Sequence, residues 1–220
     1  MKEKLLPLLC LLPIPLLVWG GIAFSGGRHA LLFSCLICLC ALGFFYLGLP
    51  DRRIGGRRMV ITAIFVALSC LGRLIPLFKP MAALTALGGI YLGPRSGFLI
   101  GSLSALISNF AFGQGPWTPF QMVGWGLIGL GAGLLSRPLR ANRLLLSLYG
   151  ALSALGYSAL MDLFTVVWGS GFFSLPLYLS ALITALPHTL SYLLSNLLFL
   201  LLLSAPMERK LARMKQKYGI

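Results

Sequence analysis

Apolar runs separated by short polar or basic breaks set the pattern of this chain. The runs cover about residues 5–23, 30–49, 59–77, 81–93, 96–112, 119–136, 144–168 and 179–204. Most approach the roughly 20 apolar residues that a helix needs to cross a bilayer. The 81–93 run is too short to span straight, so a tilted or part-buried helix is expected there. The pattern predicts an all-α protein of eight helices. A compositional break at "DRRIGGRR", 51–58, is expected to separate an N-terminal transmembrane hairpin (1–50) from a six-helix body (58–204). A basic tail (205–220) follows the last run.

Composition removes the soluble alternatives. The 220 residues are 58% hydrophobic and 10% charged, more apolar surface than a soluble domain can bury. The formal net charge of +14 does not indicate nucleic acid, because the 18 Lys and Arg form short clusters between apolar runs rather than one basic face. Membrane lipid is the better match. Alternating the loops puts fifteen basic residues on one side. The other side carries only Arg28, Arg73 and Lys79. The positive-inside rule then places both termini in the cytoplasm of a multi-pass protein of the cell membrane. The opening "MKEKLLPLLCLLPIPLLVWGG" resembles a secretory signal but lacks a clear small-x-small cleavage site, so a retained helix is expected. The tail is read as an anchor on anionic lipid.

The stretch "NFAFGQGPWTPFQMVGWG", 109–126, then lies at the outer mouth. Pro116 and Pro119 end helix continuation, and Gly113 and Gly115 permit a sharp turn. Gln121 and Trp125 share a helix face four residues apart, approached by Asn109, Gln114, Trp117 and Thr118. An interfacial aromatic belt explains the tryptophans alone. A pocket with stacking surfaces and a few placed hydrogen-bonding groups also explains the amides. Intramembrane ionisable groups add Asp162 and His188, while Arg73 and Lys79 flank "LIPLF" at the outer end of the body's first helix. An internal salt bridge, with Arg73 as partner, is the bland account of Asp162. A hydrogen bond to a neighbouring helix is that of His188.

Small residues recur at every fourth position in Gly93, Gly97, Gly101 and Ala105, a spacing that lets another helix backbone approach. The run "GWGLIGLGAG", 124–133, predicts tight packing as well. Ala63 and Ala67 form a second such pair. Cys35 and Cys38 share a helix face, but no His or acid lies near them, so inert buried thiols are expected and no metal site. No GxxxxGK[ST], HExxH, GxSxG or paired carboxylates occur, and neither a cofactor nor a catalytic residue is expected.

The segments "ITAIFVALSCLGRLIPLFKP" and "GGIYLGPRSGFLIGSLSALISNFAFGQGPWTPFQMVGWGLIGLGAGLL" resemble the substrate-binding S components of energy-coupling factor (ECF) vitamin transporters over about residues 58–204. The resemblance implies a six-helix bundle with an outward-opening pocket, gated by the 73–80 and 113–119 loops. It implies a coupling transmembrane subunit and two cytoplasmic ATPase subunits on other chains, with Ala63 and Ala67 on the face that docks on the coupling subunit. The N-terminal hairpin departs from the six-helix pattern. Metal-binding members carry an N-terminal His-rich motif that is absent here. The GQGPW-type run resembles members assigned to cobalamin or related corrinoids, and riboflavin or another heteroaromatic vitamin suits the same residues. The rival classes are a membrane-embedded lipid-modifying enzyme, for which only Asp162 and His188 are available, and a scaffold contacting partners through its tail.

Overall fold

The computed structural model describes residues 12–17, 30–47, 52–76 and 79–218. Among them the chain is helical: α1 Ala30–Tyr46, α2 Arg52–Arg73, α3 Met81–Leu92, α4 Pro94–Phe112, α5 Trp117–Leu134, α6 Ser136–Ala141, α7 Arg143–Ser170 and α8 Leu175–Tyr218. A further helical turn covers 13–17. The rest of the first expected helix lies outside the described residues.

The short apolar run became the centre of the bundle. At about 1.5 Å per residue, α3 is about 18 Å long against a hydrocarbon core of about 30 Å. Eleven of its twelve residues are buried, with α2, α4, α5 and α8 packed around it. It is apolar on every side because every side meets protein.

α4 and α5 form the most extensive helix pair, and their small residues explain why. A Cβ on Gly97 would overlap the carbonyl of Gly129, and a Cβ on Gly129 would overlap that of Gly97. Gly101 meets the backbone of Trp125 in the same way, and Ala105 is fully buried. The every-fourth-residue stripe of α4 is therefore used inside the body. Gly93 serves differently. With φ of 90° it makes the sharp junction between α3 and α4, a conformation L side chains rarely adopt.

α7 and α8 pack against each other and carry large exposed apolar side chains such as Leu148, Leu152, Leu190 and Leu194. By length and composition these two helices are sufficient to cross a membrane, over Arg143–Ser170 and Leu175–Leu211. An exposed apolar surface of this extent needs lipid rather than water around it.

The basic break lies in helix, since α2 spans Arg52–Arg73 and carries Arg52, Arg53, Arg57 and Arg58 in its first turns. The basic tail is helical as well: α8 runs 44 residues to Tyr218, past Pro187 and Pro206. In both places charged residues prolong a helix that the apolar pattern alone would end. α1 packs on α4 and α5, with Ile37 and Ala41 fully buried and Phe44 edge-on to Phe98 at 6.0 Å.

Candidate substrate-binding end

The Gly113–Pro116 turn joins α4 to α5 at one end of the bundle, where the last turn of α2 also arrives. Gly113 has φ of 98°, Pro116 caps α5, and Pro119 sits in its first turn, where a missing N–H costs nothing. Proline here starts a helix rather than merely stopping one.

Asn109 is the hub of a polar network and is fully buried. Its Nδ2 donates to Thr118 Oγ1 and to Gln121 Oε1, each at 2.8 Å. Its Oδ1 accepts from Arg73 Nη1 at 2.6 Å, and the same nitrogen reaches Ser108 Oγ at 2.6 Å. Thr118 Oγ1 donates to Gln114 Oε1 at 3.0 Å, and Gln114 Nε2 donates to the Leu106 carbonyl at 2.9 Å. The network ties α2, α4 and α5 together, and its amides largely satisfy one another.

An aromatic tier lies beside it. Trp125 stacks on Tyr157 of α7 at 4.8 Å and 10°, and its Nε1 donates to Tyr192 Oη of α8 at 2.8 Å. The Arg73 guanidinium lies 5.2 Å from the Trp125 ring and 4.6 Å from that of Phe112. Tyr192 in turn faces Tyr157 at 5.5 Å and His188 at 6.3 Å. Trp125 is 4% exposed, whereas Trp117 is 37% exposed.

Next to the tier is a cavity of about 350 Å³ lined by Lys79, Pro187, His188, Ser191 and Tyr192. Asp162 lies within electrostatic reach of His188, and its Oδ2 is buried without a hydrogen-bond partner. The Arg73–Asp162 salt bridge of the bland account is not formed among the described residues: Arg73 finds nearer oxygens on α4. His188 stacks on Tyr192 of its own helix instead of hydrogen-bonding across to a neighbour.

The structure thus joins Arg73, Asn109, Gln114, Thr118, Gln121 and Trp125 in one assembly, and Lys79 with His188 in the adjoining cavity. Trp117 stays at the rim over Gly115. Tyr157, Tyr192 and Ser108 were missed by sequence reasoning. Tyr192 was findable, since it follows His188 by four residues on one helix face. Ala63 and Ala67 lie elsewhere, on an exposed strip of α2 with Val60, Ile64 and Leu68. No group of three or more His, Cys, Asp or Glu side chains is positioned to hold a metal ion among the described residues.

Exposed apolar helices around a small-residue core, with a polar–aromatic cluster and a cavity at one end, define a helical membrane protein with a candidate recognition site. Residues 57–212 match the family ECF transporter, substrate-specific component, and the chain belongs to it. The family is membrane-integral and is a substrate-binding transporter subunit, not an enzyme family. Its members act with a coupling subunit and ATPases. No curated protein and no solved structure matches the chain.

Proposed function

We propose that this chain captures a vitamin or vitamin precursor from outside the cell and delivers it through a coupling subunit and two cytoplasmic ATPases. It crosses the cell membrane several times, with the 113–116 turn outside and Arg137, Arg140 and Arg143 inside, following the charge asymmetry of the loops. One observation carries the placement of the site. The cavity beside Tyr192 is lined by Lys79 and His188, and the buried Oδ2 of Asp162, within electrostatic reach of His188, has no hydrogen-bond partner, whereas the Asn109 network is closed on itself.

Lys79, His188 and Asp162 would meet the polar groups of the ligand, and the Tyr192 and His188 rings its flat apolar part. Trp125 would act through Tyr192, because Tyr157 and Arg73 already engage its ring. Size ranks the two ligands first considered. About 350 Å³ is at the low end of small-molecule sites and suits a flavin-sized heteroaromatic better than an intact corrinoid. Cobalamin therefore becomes the second reading. It is favoured by the resemblance of the GQGPW run and requires a larger cavity than this one.

Calorimetric titration of the purified full chain with riboflavin and with cobalamin tests this. The ligand that binds should lose about tenfold to a hundredfold in affinity in Tyr192→Leu, the cost of one stacking contact and its polar handle. Tight binding to both proteins alike would move the site away from this cavity.

A further inference from the structure

The opposite end of the bundle holds a second cavity, which we propose binds the phosphate of an anionic phospholipid headgroup. It measures about 560 Å³ and is lined by Arg58, Arg137, Arg140 and Glu208, with apolar walls that include Ile61 and Leu211. Three guanidinium groups against one carboxylate leave two formal positive charges at its surface.

Arg58 is built into place rather than left in solvent. Its Nε donates to Ser96 Oγ at 3.1 Å, and Ser96, fully buried, donates to the Leu92 carbonyl at 3.1 Å. The guanidinium lies over Gly93, where an added Cβ would come within 2.7 Å of Nη2. The glycine that makes the α3–α4 junction thus also makes the room that Arg58 occupies. Neither Arg58 nor Arg137 has an acidic partner among the described residues, so their remaining donors are free for an anion.

Arg140 is already engaged. Its Nε and Nη2 reach Glu208 Oε1 at 3.2 and 2.7 Å, and it lies 5.5 Å from the Tyr91 ring. Glu208 therefore restrains one arginine and offsets one charge, and would compete with an incoming phosphate. Forked N–H donors match phosphate oxygens well. The apolar walls favour a lipid over a soluble phosphate, because glycerol and the first acyl carbons need such a surface. The basic end also faces the leaflet where anionic lipid concentrates under the positive-inside assignment. This site differs from a diffuse anchor on the α8 extension, whose Arg209, Lys210 and Arg213 are not among its lining residues.

Native mass spectrometry of the full chain, titrated with phosphatidylglycerol and with phosphatidylcholine of the same acyl chains, tests the assignment. One phosphatidylglycerol should bind more tightly than any further lipid and more tightly than phosphatidylcholine. Each arginine near the surface is worth roughly fivefold, so Arg58→Gln with Arg137→Gln should weaken that first site about 25-fold. Arg213→Gln should leave it unchanged. Glu208→Gln should tighten it about fivefold, a change of sign that misfolding does not produce. Equal binding of phosphatidylcholine, a double variant that matches wild type, or no gain in Glu208→Gln would each overturn the site. Inorganic phosphate occupying it at the same concentrations would show that the ligand is a soluble phosphate and not a lipid.

Discussion

Replacing Asn109 with Leu is the sharpest test of the network that fixes the candidate substrate-binding end. The two side chains are similar in size, so packing changes little while three hydrogen bonds disappear. Two are neutral, to Thr118 and Gln121, and one joins the Arg73 guanidinium. On the scale of soluble proteins the neutral bonds contribute about 1 kcal/mol each and the charged one about 1.5–3 kcal/mol. Interhelical hydrogen bonds in membranes average nearer 0.6 kcal/mol, because partners are also found in the unfolded state. The two scales bracket a loss of about 2–5 kcal/mol. For a chain of this size each kcal/mol moves the unfolding temperature by about 2–4 °C, which predicts a fall of about 4–20 °C in detergent. Phe110→Leu is the control: that residue is 68% exposed and should shift the midpoint little. Unfolding of Asn109→Leu within about 2 °C of wild type would show that the amide cluster does not hold α2, α4 and α5 together.

Other outcomes follow from the same geometry. Trp117→Leu should leave ligand affinity within about twofold, because the indole stands at the rim and outside the cavity lining; a larger loss by calorimetry would return Trp117 to the site. Replacing Ala63 and Ala67 together with Trp should separate the chain from its coupling and ATPase partners on co-purification while ligand binding survives, and wild-type uptake by that variant would leave the strip merely lipid-facing. In a background without native cysteines, Gly115→Cys and Ser170→Cys should react with an impermeant reagent from outside. Arg140→Cys should not, and its labelling would invert the topology. Gly129→Ala should destabilise the α4–α5 pair by about 1–3 kcal/mol through overlap with Gly97, read as a lower unfolding temperature; no change would mean the crossing relaxes freely.

What could be read in the sequence was what a single helix declares about itself. The 81–93 run was apolar on all faces and too short to span, and burial at the centre follows from both facts. The Gly97–Gly101–Ala105 spacing stated that something approaches α4 closely, although not that α5 is what approaches. Pairing between helices was the illegible part. Arg73 and Asp162 were opposite charges that the sequence alone could pair, yet the end of α2 meets α4, where Ser108 and Asn109 intercept the guanidinium. Tyr157 sits four residues before Met161 on a long apolar helix, and nothing local separates it from an ordinary core tyrosine. Its role depends on Trp125 arriving from α5. The helix ends at Arg52 and Tyr218 were hidden for another reason: hydropathy marks where lipid stops, not where the backbone stops bonding to itself.

The two tryptophans of the 109–126 stretch, which look equivalent in sequence, illustrate how burial decides between the belt and the pocket. A belt residue must present its ring to the headgroup region, and Trp117, 37% exposed at the rim, meets that condition. Trp125 does not, because at 4% exposure it has no headgroup to contact, and its N–H is bonded to a tyrosine on another helix. Direct stacking by a ligand is equally disfavoured there, since Tyr157 and Arg73 already engage the ring. We propose that its role is support. Trp125 holds the hydroxyl of Tyr192, and Tyr192 forms a wall of the cavity that also contains Lys79 and His188. Trp125→Phe separates support from contact: it keeps an aromatic ring and removes the N–H that fixes Tyr192. If support is correct, affinity should fall by the value of one buried neutral hydrogen bond, about threefold to tenfold. Unchanged affinity in Trp125→Phe, with a loss in Tyr192→Leu, would show that Tyr192 is held by its ring contacts alone.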